Sequence, residues 1–503
     1  MVAQDSDDMN LSHNASPKRP WLLPALVSCA TAGLLLALPA GLLSWQAVVV
    51  VIGLTAVLVS LWFVLSASRE RETWPEKTLL LVWWVLLVSE EAFDPFVLPK
   101  FGVEAAENAF AGRFSVAAYG ELALWILAGV ISLLCVWRRW DYIRGFWSKP
   151  YRWVVLFGLL CLGSAFYTPK PLFALAWAFK LLVVIFVVKA CTSSLQTSER
   201  LASFFRATLW GFLLLSVAPL AVALINPTYG DDGRLANIAP DGLSATAGTL
   251  LLLSLMLYSI SRKRWLLVMA VIGVAVMIFA GGKTAIVAGI VCGLLYFVLQ
   301  GRLSSAVILT AAVAAVGAFV LAFTPLASHF SWYFSSGQLG TISGRADLWR
   351  TVAPAIWKHP FIGHGYLASR FIALQIENVP FGAPHMHNGF LEVMYNQGLI
   401  GLILIVIIHL VIVRNLFRAF RLRNTSNGMH LFAIGCIALY LNLLINGMFN
   451  ASFGGRAEAP FMLLLALVVI SDRLVKIPGE PAPEKVRMTV SPAINYRPVH
   501  SQV

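Results

Sequence analysis

Fourteen apolar runs follow one another along this chain of 503 residues, "VVVVIGLTAVLVSLWFVL" and "LLVVIFVV" among them. An α-helix rises about 1.5 Å per residue, so about 17 to 24 apolar residues cross the hydrocarbon core of a bilayer. The runs lie at roughly 21–41, 44–66, 78–97, 117–137, 151–167, 171–190, 204–225, 243–261, 265–280, 284–300, 304–325, 396–413, 430–447 and 459–472. Hydrophobic residues make up 59% of the chain and charged ones only 12%, more apolar surface than a soluble core can hide. The sequence therefore predicts an all-α polytopic membrane protein with about 14 transmembrane helices.

The net charge of +13 would suit nucleic acid, but the basic residues stand in short clusters between apolar runs, as in membrane loops. No nucleic-acid partner is expected, and the lipid bilayer is. The six cysteines, Cys29, Cys135, Cys161, Cys191, Cys292 and Cys436, lie in or beside apolar runs without CxxC spacing. They read as small hydrophobes rather than as zinc ligands or a disulfide framework. The first 20 residues are too polar and acidic for a signal peptide, so 1–20 reads as a cytoplasmic tail before an uncleaved first helix.

With the N-terminus inside, "SRERETWPEK", "WRRWDYIRGFWSKPYR", "KACTSSLQTSER", "SRKR" and "RNLFRAFRLR" all fall on the cytoplasmic face. Lys and Arg then divide into 26 inside, 10 outside and one, Lys180, in mid-span. That asymmetry sets the orientation. It places 21–325 as the first eleven spans, 326–395 as one long outer loop, and 396–472 as the last three spans. The Pro-rich polar stretch 473–503 reads as a disordered cytoplasmic C-terminal tail.

The long loop holds His329, His359, His364, His385 and His387, five of the nine histidines. Ordered loops of this length tend to be functional. Leu348, Trp349, Val352, Ala353, Ile356 and Trp357 recur at helical spacing, with Asp347, Arg350, Thr351 and Lys358 opposite. They predict an amphipathic helix, capped by Ser343, ended before Pro360, and carrying Arg345 near its first turn. "HNGFLEVMYNQGLIGLILIVII" reads as a short helix beginning near Asn388, broken at Gly398, and feeding the next span.

Within this frame His387 is the sharpest candidate, because an imidazole titrates near neutrality and can take a proton from a hydroxyl. Asn388 either caps the following helix or orients the ring; the plainer alternative for His387 is an interfacial ring with a wet tip. His385 and His387 are too few neighbours for a metal, and no metal or other cofactor is expected. Outer-face cations are Arg345, Arg234 and Lys283, the last in "AGGKTAIVAG" where one span ends and the next begins. A cation at that depth needs a partner such as a diphosphate, or snorkels to the interface. Lys180, in "WAFKLLVV", must face the bundle interior, a water cavity or an acidic partner, for which Glu90, Glu91 and Asp94 are candidates. A structural ion pair is the favoured role. Trp349 and Trp357 read as packing or interface belt rather than as a sugar-stacking platform.

"KTAIVA", "SGRADLW", "HPFIGHGY" and "PHMHNGFLEVMYNQGLIGL", in this order over roughly residues 230–415, resemble the O-antigen ligase and polysaccharide polymerase superfamily. The resemblance implies a GT-C-like bundle, here with an extra N-terminal pair of spans. It also implies a metal-independent, inverting glycosyltransferase of the bacterial inner membrane with its active site facing the periplasm. The donor would be a glycan on undecaprenyl diphosphate. The acceptor would be another lipid-linked glycan, in a polymerase of exopolysaccharide or O-antigen, or lipid A core, in an O-antigen ligase. A chain-length regulator is a further partner it implies. The family's loop histidine falls on His387, its loop arginine on Arg345 and its membrane-boundary arginine on Lys283. Lys keeps the charge there but loses the bidentate fork. Arg234 matches an Arg-before-Asn pattern, and His385 and Lys180 are secondary positions. The fuller "APHMHNG" form favours the polymerase. A rival of another class is a lipid-linked oligosaccharide flippase, against which stand the absence of matching halves and the asymmetric histidine-bearing loop.

Overall fold

The computed structural model describes residues 74–92, 116–138, 147, 150–225, 240–323, 344–374, 376, 385–422, 427–450, 453 and 458–476. The first two expected spans, the N-terminal tail, Arg234, Ser343, Asp94, Cys29 and the expected C-terminal tail beyond Lys476 lie outside the described residues, while 473–476, expected in that tail, continue the last helix. Within them the chain is helical throughout, with no strand. The helices are α1 (Trp74–Ala92), α2 (Val116–Arg138), α3 (Arg152–Ser164), α4 (Pro171–Ser193), α5 (Ser198–Ile225), α6 (Pro240–Ser261), α7 (Trp265–Ala280), α8 (Lys283–Leu299) and α9 (Leu303–Phe323). There follow α10 (Arg345–Ile356), a 3-10 segment (Ala368–Leu374), α11 (Gly389–Arg421), α12 (Asn427–Phe449) and α13 (Ala459–Lys476).

Five of these are long and apolar enough to cross a membrane: Pro171–Ser193, Ser198–Ala221, Asp241–Ser261, Gly389–Arg421 and Gly428–Phe449. Shorter apolar helices accompany them at Leu122–Trp137, Arg152–Tyr167, Trp265–Ala280, Lys283–Leu299 and Leu303–Phe319. The protein is thus a polytopic helical membrane protein. Apolar side chains all round put α13 at the centre, with every residue from Phe461 to Ile470 buried. It packs against α4, α11 and α12, while α6 is wrapped by α5, α7, α8 and α12. Helices at the margin keep an apolar face outward: Ile126, Leu127, Val130, Leu133 and Leu134 on α2, and Val307, Ile308 and Phe319 on α9 are exposed. A bilayer is the solvent that such faces require. The described cysteines, Cys135, Cys161, Cys191, Cys292 and Cys436, are buried, as small hydrophobes are.

The connection before α11 is built, not slack. Helix α10 buries Leu348, Val352, Ala355 and Ile356 and exposes Asp347, Arg350 and Lys358, the amphipathic pattern expected of it. Trp357, expected on the apolar side, is 71% exposed instead. The N-cap also differs from expectation: it is Gly344, at φ +76°. Arg345 is accordingly its first residue.

Helix α11 breaks at Gly398, where φ is +65° and ψ −161°. A break strands backbone groups on both sides, and in a membrane these must find partners. The "HPFIGHGY" segment supplies them. His364 and Gly365 N–H donate to the carbonyls of Tyr395 and Asn396, each at 2.8 Å. In return Leu399 N–H donates to the Pro360 carbonyl at 2.8 Å and Ile400 N–H to that of Phe361 at 3.2 Å. The two backbones approach so closely that a Cβ on Gly398 would lie 2.4 Å from the Phe361 carbonyl, and one on Gly363 2.5 Å from that of Asn396. Two sequence motifs about a helix-length apart are therefore halves of one backbone joint.

Candidate active site

Four helix starts meet at one end of the bundle. Asp241 stands in the first turn of α6, Lys283 begins α8, Arg345 begins α10 and Gly389 begins α11. The joins between them are specific. Ser244, one turn along α6 from Asp241, accepts the Gly282 N–H at 2.9 Å and donates to the Met277 carbonyl at 3.1 Å. This pins the turn that carries Lys283 to the turn of α6 that carries Asp241. Arg345 Nη2 reaches Asp241 Oδ2 at 2.6 Å, tying α10 to the same place. The arginine side chain is only 12% exposed, so its charge is satisfied by this carboxylate rather than by bulk water.

His387 stands beside this pair. Burial, and then the Arg345 guanidinium, bring its imidazole down from 6.5 to about 4, while Asp241 pulls the other way. The ring is consequently neutral at physiological pH, the form able to accept a proton. Its Nδ1 is buried and makes no hydrogen bond among the described residues. Its backbone sits in the left-handed region, at φ +48°, which a residue with a Cβ seldom adopts. Strain of this kind persists only where the surroundings enforce it, and it is often found at functional sites.

The neighbours of His387 do the enforcing. Asn388 is the N-cap of α11: its side chain accepts from Phe390 and Leu391 N–H, both at 3.0 Å. Of the two roles expected for Asn388 from sequence, the cap is the one its carbonyl oxygen performs. His385 Nδ1 accepts the His387 N–H at 3.2 Å, and their rings lie 4.0 Å apart. Burial, His387 and Arg345 hold His385 well below the ordinary histidine range, so it too is neutral. No group of three or more His, Cys, Asp or Glu gathers in metal-binding fashion among the described residues.

Other expected positions lie elsewhere. Lys180 is buried in α4, its Nζ 4.4 Å from the Trp177 ring centroid and 5.1 Å from that of Trp125. Indole faces thus take part in stabilising a charge for which a carboxylate partner was expected. The side chains of Glu90 and Glu91 are not among those described. His364 is a strut: its Nε2 lies 2.8 Å from the Ala355 carbonyl near the end of α10, and its ring stacks on Tyr395 at 4.3 Å. Burial lowers its pKa.

Sequence reasoning missed Asp241 and gave no role to Glu392. Asp241 was visible as an acid in the first turn of a span, but that is where any helix welcomes an acid. Glu392 was part of the quoted motif, and its burial, at 4% exposure, could have been inferred from the apolar residues around it.

Fold and site together define a polytopic membrane protein with a histidine, an ion-paired arginine and a lysine gathered at the ends of its helices. Residues 247–406 match the family model described as O-antigen ligase. This match, over part of the chain, supports a relation to the O-antigen ligase/polymerase superfamily, whose members are glycosyltransferase-like enzymes. The match takes in Lys283, Arg345, His385, His387, Asn388 and Glu392, and begins just after Asp241. No curated protein matches the chain.

Proposed function

We propose that the protein is an inner-membrane glycosyltransferase that moves a glycan from undecaprenyl diphosphate to a sugar hydroxyl on the periplasmic face. The observation that carries this is the pairing of a neutral His387 with a buried, carboxylate-held Arg345 at one end of the bundle. A glycosyl diphosphate is already activated, so the protein has two tasks: to remove a proton from the acceptor oxygen and to stabilise charge on the leaving diphosphate. His387 takes the hydroxyl proton as the acceptor oxygen forms its bond to the anomeric carbon. The bond from that carbon to the diphosphate oxygen breaks with inversion, and undecaprenyl diphosphate leaves. Arg345 and Lys283 draw the developing negative charge, with Arg234 a further contributor. Asp241 holds the Arg345 guanidinium by one nitrogen, and a guanidinium has further N–H groups to offer an anion.

Polymerisation of an exopolysaccharide or O-antigen is the form we favour, on the "APHMHNG" sequence. Transfer to lipid A core is the alternative, and a flippase is the reading of another class. One experiment separates the polymerase from the ligase: lipid-linked glycans are compared in a deletion strain complemented by the wild-type chain or by His387→Ala, with the variant's presence in membranes verified. Single repeats accumulating in both the deletion and the variant indicate a lost polymerase, and long lipid-linked chains a lost ligase. Normal product with His387→Ala would sink the assignment of His387.

A further inference from the structure

The residue that precedes His387 is held from two directions. Met386 N–H donates to Glu392 Oε2 at 2.9 Å, and the Met386 carbonyl accepts from Trp349 Nε1 at 2.9 Å. Glu392 lies on the first turn of α11 and Trp349 on α10, so one residue, through the peptides on both its sides, is gripped by two helices. The other Glu392 oxygen accepts from Ser369 Oγ on the 3-10 segment, whose own N–H donates to Asn396 Oδ1 at 2.8 Å. Met386, Ser369, Glu392 and Asn396 are all buried. The Met386 side chain is seated in a small apolar cluster with Leu348, Val352 and Tyr395.

A buried carboxylate is an expensive way to fill space, and an apolar residue there would leave the buried Met386 N–H and Ser369 Oγ without this acceptor. What this carboxylate does that an apolar residue cannot is bind the N–H of the residue before a strained histidine. We infer that Glu392 is a positioning residue: through Met386 it fixes the left-handed turn that aims His387, and Trp349 makes that turn depend on the seating of α10. The inference rests on the reading of His387 as the proton acceptor.

Three substitutions separate hydrogen bonding from bulk. Glu392→Gln keeps an acceptor for Met386 N–H and offers a donor to Ser369 Oγ, whose hydroxyl can turn to accept. Glu392→Ala keeps neither bond, and Trp349→Phe keeps the ring packing but drops the N–H. The full-length protein, in lipid nanodiscs with an undecaprenyl-diphosphate-linked glycan, is assayed for kcat and donor KM. His387 carbethoxylation by diethyl pyrocarbonate is followed in parallel by mass spectrometry, with exposed His359 as the internal standard. Glu392→Ala is expected to lower kcat about 100-fold at unchanged donor KM, the scale of loss from a small misplacement of a reacting group. Trp349→Phe should fall between it and wild type, and Glu392→Gln should restore most of kcat. His387 should label faster than wild type in Glu392→Ala and Trp349→Phe, and at the wild-type rate in Glu392→Gln.

Wild-type kcat and labelling in Glu392→Ala would overturn the inference. Should that variant not fold, the same result in Trp349→Phe would overturn it. A Glu392→Gln protein as inactive as Glu392→Ala would overturn it too, because charge and not hydrogen bonding would then be the operative property. If His387→Ala is as active as wild type, the functional reading has failed; the labelling comparison still decides whether Glu392 holds the turn.

Discussion

A histidine can take a proton only while it is neutral, and the surroundings of His387 arrange for that over most of the pH scale. Burial disfavours the imidazolium first and the Arg345 guanidinium second, while Asp241 opposes both, which leaves the ring at about 4. His385, the other titratable neighbour, is neutral as well. If His387 is the proton acceptor proposed above, activity should rise as pH climbs through about 4 and be level through the neutral range. An unperturbed histidine would put that limb near 6.5. The assay is kcat/KM for a lipid-linked donor against pH, and a limb at the unperturbed position would mean that the ring is solvated in the working enzyme. Removing the guanidinium in Arg345→Gln takes away one of the two depressing influences and leaves Asp241 opposed by burial alone, so the limb should move upward. The same variant should lower kcat about 100- to 1,000-fold, as the loss of one charge-stabilising donor does elsewhere. A loss of activity with an unmoved limb would show that Arg345 serves the diphosphate without touching His387.

Elements carry the arrangement by being interrupted in the right place. The break at Gly398 lets α11 change direction and frees backbone groups that the "HPFIGHGY" segment then occupies, locking the outer connection onto the bundle. Gly398→Ala would introduce a Cβ 2.4 Å from the Phe361 carbonyl, at a positive φ that already disfavours any side chain. The strain alone is about 1–3 kcal/mol, and displacement of Phe361 adds to it. Thermal unfolding of the detergent-solubilised protein, read by tryptophan fluorescence, should show a clear drop in Tm. Gly428→Ala, whose Cβ meets nothing within 4 Å, is the control and should leave Tm nearly unchanged. Equal Tm values for the two variants would refute the joint. Much of this element was legible beforehand: apolar run length gave the helices, and the "NQGLIG" glycine gave the break. What could not be read was its partner, because the joint between 360–365 and 395–400 is made of backbone N–H and C=O, which carry no side-chain signature. The cap of α10 failed for a related reason. A serine is the usual signal, but the chain enters through Gly344 at φ +76°, a local conformation that tertiary contacts select.

At the scale of the whole molecule, the site exists because chain parity returns several helix starts to one face. The contacts from Asp241 to Arg345 and from Ser244 to Gly282 require the starts of α6, α8 and α10 to share an end of the bundle, whichever way the protein lies in the membrane. Orientation is then a separate question, and the proposal for it rests on charge: on the 14-span reading, 26 Lys and Arg residues would fall on one face against 10 on the other, and the poorer face would carry the site. On that reading, anionic lipids and the membrane potential would hold the richer face in the cytoplasm. If so, a reporter joined after Ile376 lies outside, and one joined after Leu422, beyond the full length of α11, lies inside. Alkaline phosphatase, active only in an oxidising compartment, should be active at the first position and inactive at the second, and a green fluorescent protein should show the reverse. The opposite pattern would put His387 on the cytoplasmic face, where nucleotide sugars rather than lipid-linked glycans are the available donors. The proposed substrate would then fall while the geometry of the site stood, since no contact between Asp241, Arg345 and His387 depends on which side of the bilayer they occupy.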